Sequence, residues 1–220
     1  MDSANLESRI DSPNPAERMA AIAELRHCSP GVAVPLLKRR MCDKEFIIRS
    51  LVAGGLGRQN TESAFEALIT LIEYENDPNV RAEAANSLAK FGECSLPFLL
   101  NLFEQDTHWL VRQSILAAVS AFDHSEILLQ LCQWGIADDD IFVQQAALAY
   151  LADLSGTSSE EGALAVLLPL ATVESADIRA QVARSLGYFE HPEAKAALAE
   201  LQHDKDHYVI GAALERLLLV

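Results

Sequence analysis

The stretch Asp-Pro-Asn-Val-Arg at 77–81 comes back in looser form about every 32 residues along the chain. When Arg81 is taken as the reference position of its copy, successive copies are separated by 31 to 35 residues. The reference positions assigned in this way are Arg18, Arg49, Arg81, Arg112, Gln144, Arg179 and Gly211. Self-similarity at a period of this length is typical of stacked repeats, so the sequence predicts a repeat architecture.

The third copy shows what one repeat contains. Asp77 is a favourable N-cap, Pro78 suits the first helical turn, and Gly92 can end the helix. Between them the apolar residues recur at the spacing of one helix face. A second helix is predicted over about 95–105. One repeat is therefore a pair of helices joined by a short turn, and neither helix can bury its apolar face alone.

The same pair can be written for the rest of the chain. Helices that carry the recurring phrase are predicted at about 15–27, 44–57, 78–91, 107–122, 138–153, 175–189 and 205–219. The intervening helices are predicted at about 31–41, 61–74, 95–105, 124–135, 160–171 and 192–202. Strand signals are nearly absent, because Ala and Leu dominate and no alternating β-branched run is bounded by turns.

These patterns predict an all-α fold. We expect an α-solenoid, a right-handed superhelix of about seven two-helix repeats. A solenoid grows as one continuous stack, so 1–220 is expected to form a single domain. Residues 1–12 are expected to be a short capping helix or a frayed end.

Composition argues against several classes of function. The chain carries 32 acidic and 17 basic residues, a net charge of −15. Nucleic-acid binding needs a cationic surface, so no nucleic-acid partner is expected. No apolar run approaches about 18 residues, so no membrane insertion is expected. The four cysteines are widely spaced without CxxC pairing, and no signal peptide is visible, which favours reduced thiols in the cytoplasm.

The recurring phrase resembles a known family. Two-helix repeats opened by Asp-Pro-x-Val-Arg resemble HEAT repeats, and the short period and Ala-rich helices are similar to the phycobilisome-lyase type of HEAT-like repeat. The residues that carry this likeness are Val-Arg-Ala-Glu-Ala-Ala-Asn-Ser-Leu at 80–88, Ile-Arg-Ala-Gln-Val-Ala-Arg-Ser-Leu-Gly at 178–187 and His-Pro-Glu-Ala at 191–194. The resemblance covers about 13–217.

The resemblance implies a function that the residues alone do not supply. The family includes lyases that attach open-chain tetrapyrroles to phycobiliprotein cysteines, and a non-bleaching protein needed for phycobilisome breakdown under nutrient starvation. The implied function is therefore a phycobilisome-associated protein that binds phycobiliprotein subunits or bilins, in phycobilisome degradation or chromophore detachment. The alternatives are a bilin lyase subunit and a scaffold unrelated to tetrapyrroles. No cofactor is required, and a bilin is the ligand that the resemblance suggests.

The sequence contains no internal catalytic motif. It lacks a P-loop, a GxGxxG before a helix, a G-x-S-x-G and an H-E-x-x-H. Any lyase-like activity therefore rests on the resemblance.

The repeated arginines have two interpretations. The first is structural: each guanidinium forms two hydrogen bonds with the N-cap Asp of its own repeat or of the next one, as a ladder that holds the stack in register. The second is functional: Arg49, Arg81 and Arg112 contact propionates of a ligand or acidic side chains of a partner. The two interpretations are compatible.

Other candidate binding residues follow from the repeat register. If positions two and five after each reference position face a concave groove, its floor includes Glu83, Ser114, Gly54 and Asn86. A glycine costs stability inside a helix, so Gly54 either lets a flat ligand or another helix approach or serves tight packing. Trp109 is either an exposed binding anchor or half-buried between repeats.

The last helix suggests an oligomer. Apolar residues close it without a polar capping helix behind them: Leu214, Leu217, Leu218, Leu219 and Val220. Terminal repeats need a polar outer face, so a dimer or hetero-oligomer through this helix is expected.

Overall fold

The computed structural model describes residues 3–215, and every regular element in that range is helical. The α-helices are α1 (Ser3–Ile10), α2 (Pro15–Glu24), α3 (Pro30–Lys38), α4 (Phe46–Leu56), α5 (Glu62–Tyr74), α6 (Pro78–Ala89), α7 (Leu96–Gln105), α8 (Trp109–Ser120), α9 (Ser125–Ile136), α10 (Ile141–Tyr150), α11 (Glu160–Leu170), α12 (Ala176–Leu186), α13 (Pro192–Leu201) and α14 (His207–Leu214). Short 3-10 helices cover Leu25–His27, Glu93–Ser95 and Leu151–Leu154. The even-numbered helices carry the recurring phrase.

The predicted helices are all present, so the all-α repeat fold is confirmed. α6 ends at Ala89, before the predicted Gly92, which lies just ahead of the 3-10 helix at φ 83° and ψ −156°, a conformation that favours glycine. A helix, α1, covers most of the predicted N-terminal cap. Of the apolar residues for which a contact through the C-terminal helix is predicted, Leu214 is 36% exposed at the end of α14, and 217–220 lie outside the described range. No helix between residues 3 and 215 has the length and apolar character needed to cross a lipid bilayer.

The chain divides into two compact units, which we call the N-terminal unit, up to Ala118, and the C-terminal unit, from Val119. In the N-terminal unit α4 packs between α2 and α6, and in the C-terminal unit α12 packs between α10 and α14. The odd-numbered helices pack against the even-numbered ones and touch one another less. Each unit is thus two helix layers with the core between them. The prediction of a single domain over 1–220 stays a prediction.

Every even-numbered helix except α4 begins at a side chain that caps it, whereas Glu45 before α4 makes no capping hydrogen bond. The cap of α6 is Asp77, whose Oδ1 accepts a hydrogen bond from the Asn79 N–H at 2.9 Å. The cap of α8 is His108, whose Nδ1 accepts from the Leu110 N–H at 3.2 Å. The remaining caps with a side-chain hydrogen bond are Asn14, Asp140, Ser175 and Asp206. These bonds satisfy N–H groups that have no partner inside the helix, so they fix where each helix starts.

The cap of α14 corrects one reference position. The sequence alignment assigned Gly211 to the last copy, but Asp206 caps α14 and the Ile210 N–H bonds to the Asp206 carbonyl at 3.1 Å. The Arg81 N–H makes the same bond to the Asp77 carbonyl, also at 3.1 Å. Ile210 is therefore the structural equivalent of Arg81, because each lies four residues after the N-cap of its helix, Asp206 and Asp77.

Candidate binding surface

Arginines of the even-numbered helices join successive repeats. In the N-terminal unit Arg81 donates from Nε to Asp106 Oδ2 at 2.5 Å and from Nη2 to Asp106 Oδ1 at 3.1 Å. The carboxylate follows the arginine by 25 or 26 residues in every such pair. We call each pair a rung, and the described rungs are Arg18–Asp43, Arg49–Glu75, Arg81–Asp106 and Arg179–Asp204.

The same guanidiniums also bond to backbone carbonyls of their own repeat. Nη1 of Arg81 donates to the Glu75 and Asn76 carbonyls at 3.1 and 2.9 Å. Nη1 of Arg179 does the same with the carbonyls of Val173 and Glu174, at 2.8 and 2.7 Å. One planar fork therefore ties the turn before its own helix to the turn before the next even-numbered helix. This is the ladder that the structural interpretation predicted.

The carboxylate of each rung differs from the predicted one. Arg49 binds Glu75 rather than the N-cap Asp77, and Glu75 Oε1 also accepts from the Asp77 N–H at 2.9 Å. Asp77 is occupied with the first turn of its own helix, since it accepts from the Asn79 backbone and side chain. The predicted partner was wrong because a capping carboxylate turns inward to its own N–H groups, which leaves the acid two residues earlier to meet the preceding repeat.

Burial and charge decide the protonation of the rungs. The side chains of Arg18 and Asp43 are 5% and 2% exposed. Burial alone would raise the pKa of the Asp43 carboxyl, but hydrogen bonds from the Glu45 N–H and Arg18 hold the pKa below its usual value. The hydrogen bond from Arg179 lowers the pKa of Asp204 to about 2. The Asp43 and Asp204 carboxylates are therefore ionised at neutral pH.

The low pKa of Asp204 gives a pH-dependent contribution to stability. A carboxyl whose pKa is lower in the folded chain stabilises the fold above its unfolded pKa, and that contribution disappears as pH falls through the folded pKa. For Asp204 this window runs from about pH 4 down to about pH 2. We expect Asp204→Asn to be less stable than the parent near pH 6, with the difference shrinking through that window.

Urea denaturation of the parent and Asp204→Asn between pH 2 and pH 7 would measure this difference. Asp177→Asn is a suitable control, because Asp177 is exposed in the first turn of α12. A difference between the parent and Asp204→Asn that is constant over the whole pH range would contradict the assignment.

One interface in the C-terminal unit has no rung of this kind. Gln144 stands at the reference position of α10, and its Nε2 donates to the Asp138 carbonyl at 2.6 Å, which preserves the backbone bond of the arginines. The position that supplies the carboxylate in the next repeat is Val173. Instead, the buried Ser185 hydroxyl donates to the Leu148 carbonyl at 2.7 Å, between α12 and α10. At this interface both partners of the rung are therefore replaced: Gln144 stands in place of the arginine, and Val173 stands in place of the carboxylate.

The rungs bear on the predicted binding role of the arginines. The side chains of Arg49 and Arg81 are each 17% exposed and each holds a carboxylate with two hydrogen bonds. Arg112 donates from Nε to the Phe103 carbonyl at 3.1 Å and lies over the Phe103 ring at 5.6 Å. These contacts establish a structural role, while a direct ligand contact stays a prediction.

Gly54 packs under a neighbouring helix. It is buried in α4, and a Cβ built on it would lie 2.8 Å from Oε1 of Glu83 on α6. Gly55 faces Leu37 on α3, with a Cβ at 2.8 Å from its Cδ2, and Gly57 faces Ser87 on α6. Close packing of α4 against α6 fits this geometry, with the Glu83 carboxylate over the Gly54 backbone, while a ligand contact at Gly54 stays a prediction.

The remaining predicted residues differ in how much of their surface is exposed. Asn86 is exposed, while Glu83 and Ser114 are half-buried. Trp109 is 37% exposed and stacks on His108, with ring centroids 5.9 Å apart and planes at 26°. Among these residues Asn86 and Trp109 present the most surface to a partner.

Further apolar residues at helix starts escaped the sequence analysis. In the N-terminal unit, Phe46 and Ile47 open α4 and are each 45% exposed. In the C-terminal unit, Ile141 and Phe142 open α10 at 41% and 56% exposed, and Tyr208 is 52% exposed in the first turn of α14. These residues lie two or three positions before the reference position of their helix. The repeat register could have identified them, because Trp109 occupies the same place in α8.

Exposed large apolar side chains are a feature of protein-binding surfaces. We call Phe46 and Ile47, at the start of α4, and Trp109, at the start of α8, the apolar edge of the N-terminal unit. The acidic residues Glu45 and Asp77 are the N-caps of α4 and α6. Between residues 3 and 215, no group of three or more His, Cys, Asp or Glu side chains is arranged to hold a metal ion.

Helix pairs stacked through a repeated Arg–carboxylate rung define the class as an α-helical repeat protein. The chain belongs to the family of HEAT repeats, which it matches over residues 3–89, 43–120 and 126–218.

Solved structures with this fold include a chain of the complex of CpcE and CpcF of phycocyanin lyase from Nostoc sp. PCC7120. That chain is 20% identical, the match covers 100% of this chain and 88% of that one, and the TM-score is 0.55. YibA of E. coli is 17% identical over 100% of this chain and 87% of YibA, with a TM-score of 0.64. Both likenesses concern the fold.

A curated relative is similar over half of the chain. Deoxyhypusine hydroxylase-B of Oryza sativa subsp. japonica is 32% identical over 109 residues, which are 49% of this chain. They make up 36% of the hydroxylase, so the match spans about a third of that protein.

Proposed function

We propose that this chain is a protein-binding HEAT-repeat module that engages phycobiliprotein subunits and acts in phycobilisome degradation or chromophore detachment. The observation that carries the binding role is the apolar edge, where Phe46 and Ile47 are each 45% exposed at the start of α4. The choice of partner is supported by the phycobilisome-lyase character of the repeats at 80–88 and 178–187. The likeness in fold to a phycocyanin lyase chain over the full length agrees with it.

The edge suits a partner with an apolar patch and a basic rim. Aromatic and large aliphatic side chains supply most of the energy of protein interfaces when a partner desolvates them. Around the edge, Glu45 and Asp77 provide negative charge, as does the chain as a whole at −15. Opposite charge on the partner would accelerate association and fix its orientation.

A mixing experiment tests the proposal directly. The purified chain is incubated with a holo-phycobiliprotein, with free bilin, and with free bilin plus an apo-subunit, and each mixture is followed by absorbance and size-exclusion chromatography. We expect co-elution with the holo-phycobiliprotein. Loss of its bound colour would assign chromophore detachment, and transfer of bilin to an apo-subunit would assign the lyase alternative. Absence of both co-elution and spectral change would refute the proposal in favour of an unrelated scaffold.

Substitution at the apolar edge locates the contact. We expect the double variant Phe46→Ala with Ile47→Ala to weaken binding to the phycobiliprotein at least about tenfold, because each change removes an anchoring side chain worth about 1 kcal/mol or more. Isothermal titration calorimetry gives the affinity, and circular dichroism checks that the helices remain. Tyr188→Ala is the matched control, since Tyr188 is 53% exposed in the C-terminal unit. Equal losses in the double variant and the control would remove the edge from the interface.

A further inference from the structure

Phe142 is an exposed aromatic residue at the start of α10, in the C-terminal unit. It is 56% exposed, and Ile141 before it is 41% exposed. Both side chains lie in the unit that does not contain the apolar edge. Exposed large apolar side chains are typical of surfaces that a partner covers. The start of α10 is therefore a candidate docking surface in its own right.

The negative charge of the chain is concentrated in this unit. The C-terminal unit holds 16 of the 32 acidic residues but only 5 of the 17 basic ones. Between Arg112 and Arg179 the sequence has ten carboxylates and no lysine or arginine. At the reference position of α10, Gln144 takes the place of the arginine, so no guanidinium of that helix offsets the acids before it. An occupant of this surface therefore meets a negative field.

Three carboxylates at the starts of α10 and α12 are available to a cation. Asp139 directly precedes the N-cap of α10, Glu174 directly precedes the N-cap of α12, and Asp177 lies in the first turn of α12. All three are exposed, and within residues 3–215 none of their side chains forms an ion pair or a hydrogen bond. The Arg179 guanidinium, which donates to the Glu174 carbonyl, is already held by Asp204. These carboxylates thus differ from the buried acids of the rungs.

The starts of α10 and α12 lie side by side. The two helices pack on each other, and they run in the same direction because α11 leads back between them. The Ser185 hydroxyl, ten residues after the N-cap of α12, donates to the Leu148 carbonyl, eight residues after the N-cap of α10. The helix starts are therefore level to within about two residues, or about 3 Å along the axis. We call the residues at these two starts the acidic–aromatic surface: Asp139, Ile141, Phe142, Glu174 and Asp177.

α14 shows the kind of contact that a cation makes at such a helix start. Tyr208 lies two residues after the N-cap of α14, which is the position of Phe142 in α10. The Arg184 guanidinium lies over the Tyr208 ring at 5.1 Å, and its Nε donates to Glu215 Oε2 at 3.0 Å. A guanidinium between an aromatic ring and a carboxylate therefore occurs within the same unit.

We propose that the acidic–aromatic surface binds a basic segment of a partner protein that carries Arg or Lys next to an apolar side chain. The cation lies among the carboxylates, and the apolar side chain packs on the Phe142 ring. Packed helices lie about 8–10 Å apart, a separation that neighbouring side chains of one segment can span. Opposite charge accelerates the encounter and orients the segment, and desolvation of the ring supplies most of the affinity. The surface lies outside the apolar edge, so this inference does not depend on the proposed function.

The test uses the full chain and the fluorescein-labelled peptide Ser-Arg-Leu-Arg-Leu-Arg-Ser. Fluorescence anisotropy should show saturable binding that weakens as salt is raised, since the contacts are partly ionic. Replacement of its arginines by glutamate should abolish binding. Replacement of its leucines by serine should weaken binding at least about fivefold, because the apolar contact with the ring is lost. Absence of binding by the first peptide, or equal binding of the leucine and serine peptides, would overturn the proposal.

Two variants locate the site. Phe142→Ala and Glu174→Lys should each weaken binding of the leucine peptide at least about tenfold with little change in the thermal midpoint, because both side chains are exposed. Glu193→Lys is the matched control for charge, since Glu193 is exposed at the start of α13, after the C-terminal end of α12, and it should retain most of the affinity. Tyr188→Ala is the matched control for the ring. Equal losses in Glu174→Lys and Glu193→Lys would show that net charge alone attracts the peptide, and would overturn the site.

Sedimentation velocity of the chain without peptide tests a competing occupant. We expect Phe142→Ala to sediment like the parent. A dimer of the parent that this substitution dissociates would assign the surface to a second copy of the chain and overturn the proposal. Peptide binding without phycobiliprotein binding would refute the proposed function alone, and the reverse would refute this inference alone.

Discussion

Replacement of Asp43 by Ala should lower the free energy of unfolding by about 3–5 kcal/mol, because it leaves a buried guanidinium without its counter-ion. The Arg18 side chain is 5% exposed, its Nη2 donates to Asp43 Oδ1 at 3.0 Å, and its Nε lies 2.8 Å from Asp43 Oδ2 without forming a hydrogen bond. Asp43 also accepts from the Glu45 N–H at 3.1 Å, just before α4. The variant therefore loses both the Arg18–Asp43 rung and the side-chain hydrogen bond that fixes the turn before α4. Urea denaturation followed by circular dichroism measures the change.

Two further variants test whether the loss of stability in Asp43→Ala comes from the burial of its ion pair. Glu215→Ala removes the partner of Arg184 in an exposed pair, where Glu215 is 57% exposed, so its effect should stay within about 1 kcal/mol. The double variant Arg18→Met with Asp43→Leu removes both charges together and should recover much of the loss. If Asp43→Ala is no more damaging than Glu215→Ala, the N-terminal rung is not a structural element.

A methyl group added at Gly57 should cost about 1–3 kcal/mol of stability, because the space is already filled. A Cβ there would lie 2.6 Å from Ser87 Cβ and 3.0 Å from its Cα, which is backbone that cannot move aside without shifting α6. The backbone of Gly57, at φ −60° and ψ −12°, suits alanine, so the cost is steric alone. The difference in thermal and urea midpoints between Gly57→Ala and the parent measures it.

Gly31→Ala is the matched control for this substitution. Gly31 is exposed in α3, and a Cβ there would meet nothing within 4 Å. The same chemical change should therefore stabilise the chain by up to about 1 kcal/mol, since alanine favours the helix and restricts the unfolded state. A similar effect of the two substitutions would show that α4 and α6 are less tightly packed than the structure indicates.

The fold was predictable from the sequence because it depends on local periodicity. The phrase at 77–81 contains the cap, the helix start and the arginine together, and each copy predicts a helix independently. The predicted reference position was wrong in the last copy, where the sequence alignment chose Gly211 and the structure shows Ile210. There Ile210 replaces the arginine, while Asp206 and Val209 keep the places of Asp77 and Val80 and were the more reliable guide.

The candidate surface was less predictable because it depends on where side chains point between repeats. The acid two residues before the cap recurs at Asp43, Glu75, Asp106 and Asp204, and this recurrence was visible in the sequence. To predict that Arg49 binds Glu75 rather than Asp77, one must know that the capping carboxylate bonds to the N–H groups of its own helix. The cover of Gly54 by Glu83 could not be read from sequence, since it depends on how closely α4 and α6 approach.

The interface between α10 and α12 gives the C-terminal unit a place where cooperativity can fail. The stability of a repeat array is a sum of terms within repeats and between neighbours, so the array separates first where a neighbour term is small. A neutral hydroxyl–carbonyl bond contributes about 0.5–1.5 kcal/mol, against about 1.5–3 kcal/mol for a bond to a charged group. Between α10 and α12 the bond from Ser185 to Leu148 is of the neutral kind, whereas the Arg179–Asp204 ion pair joins α12 to the turn before α14. Amide protons of α12 to α14 would accordingly exchange with solvent as one block, through openings that leave α10 intact.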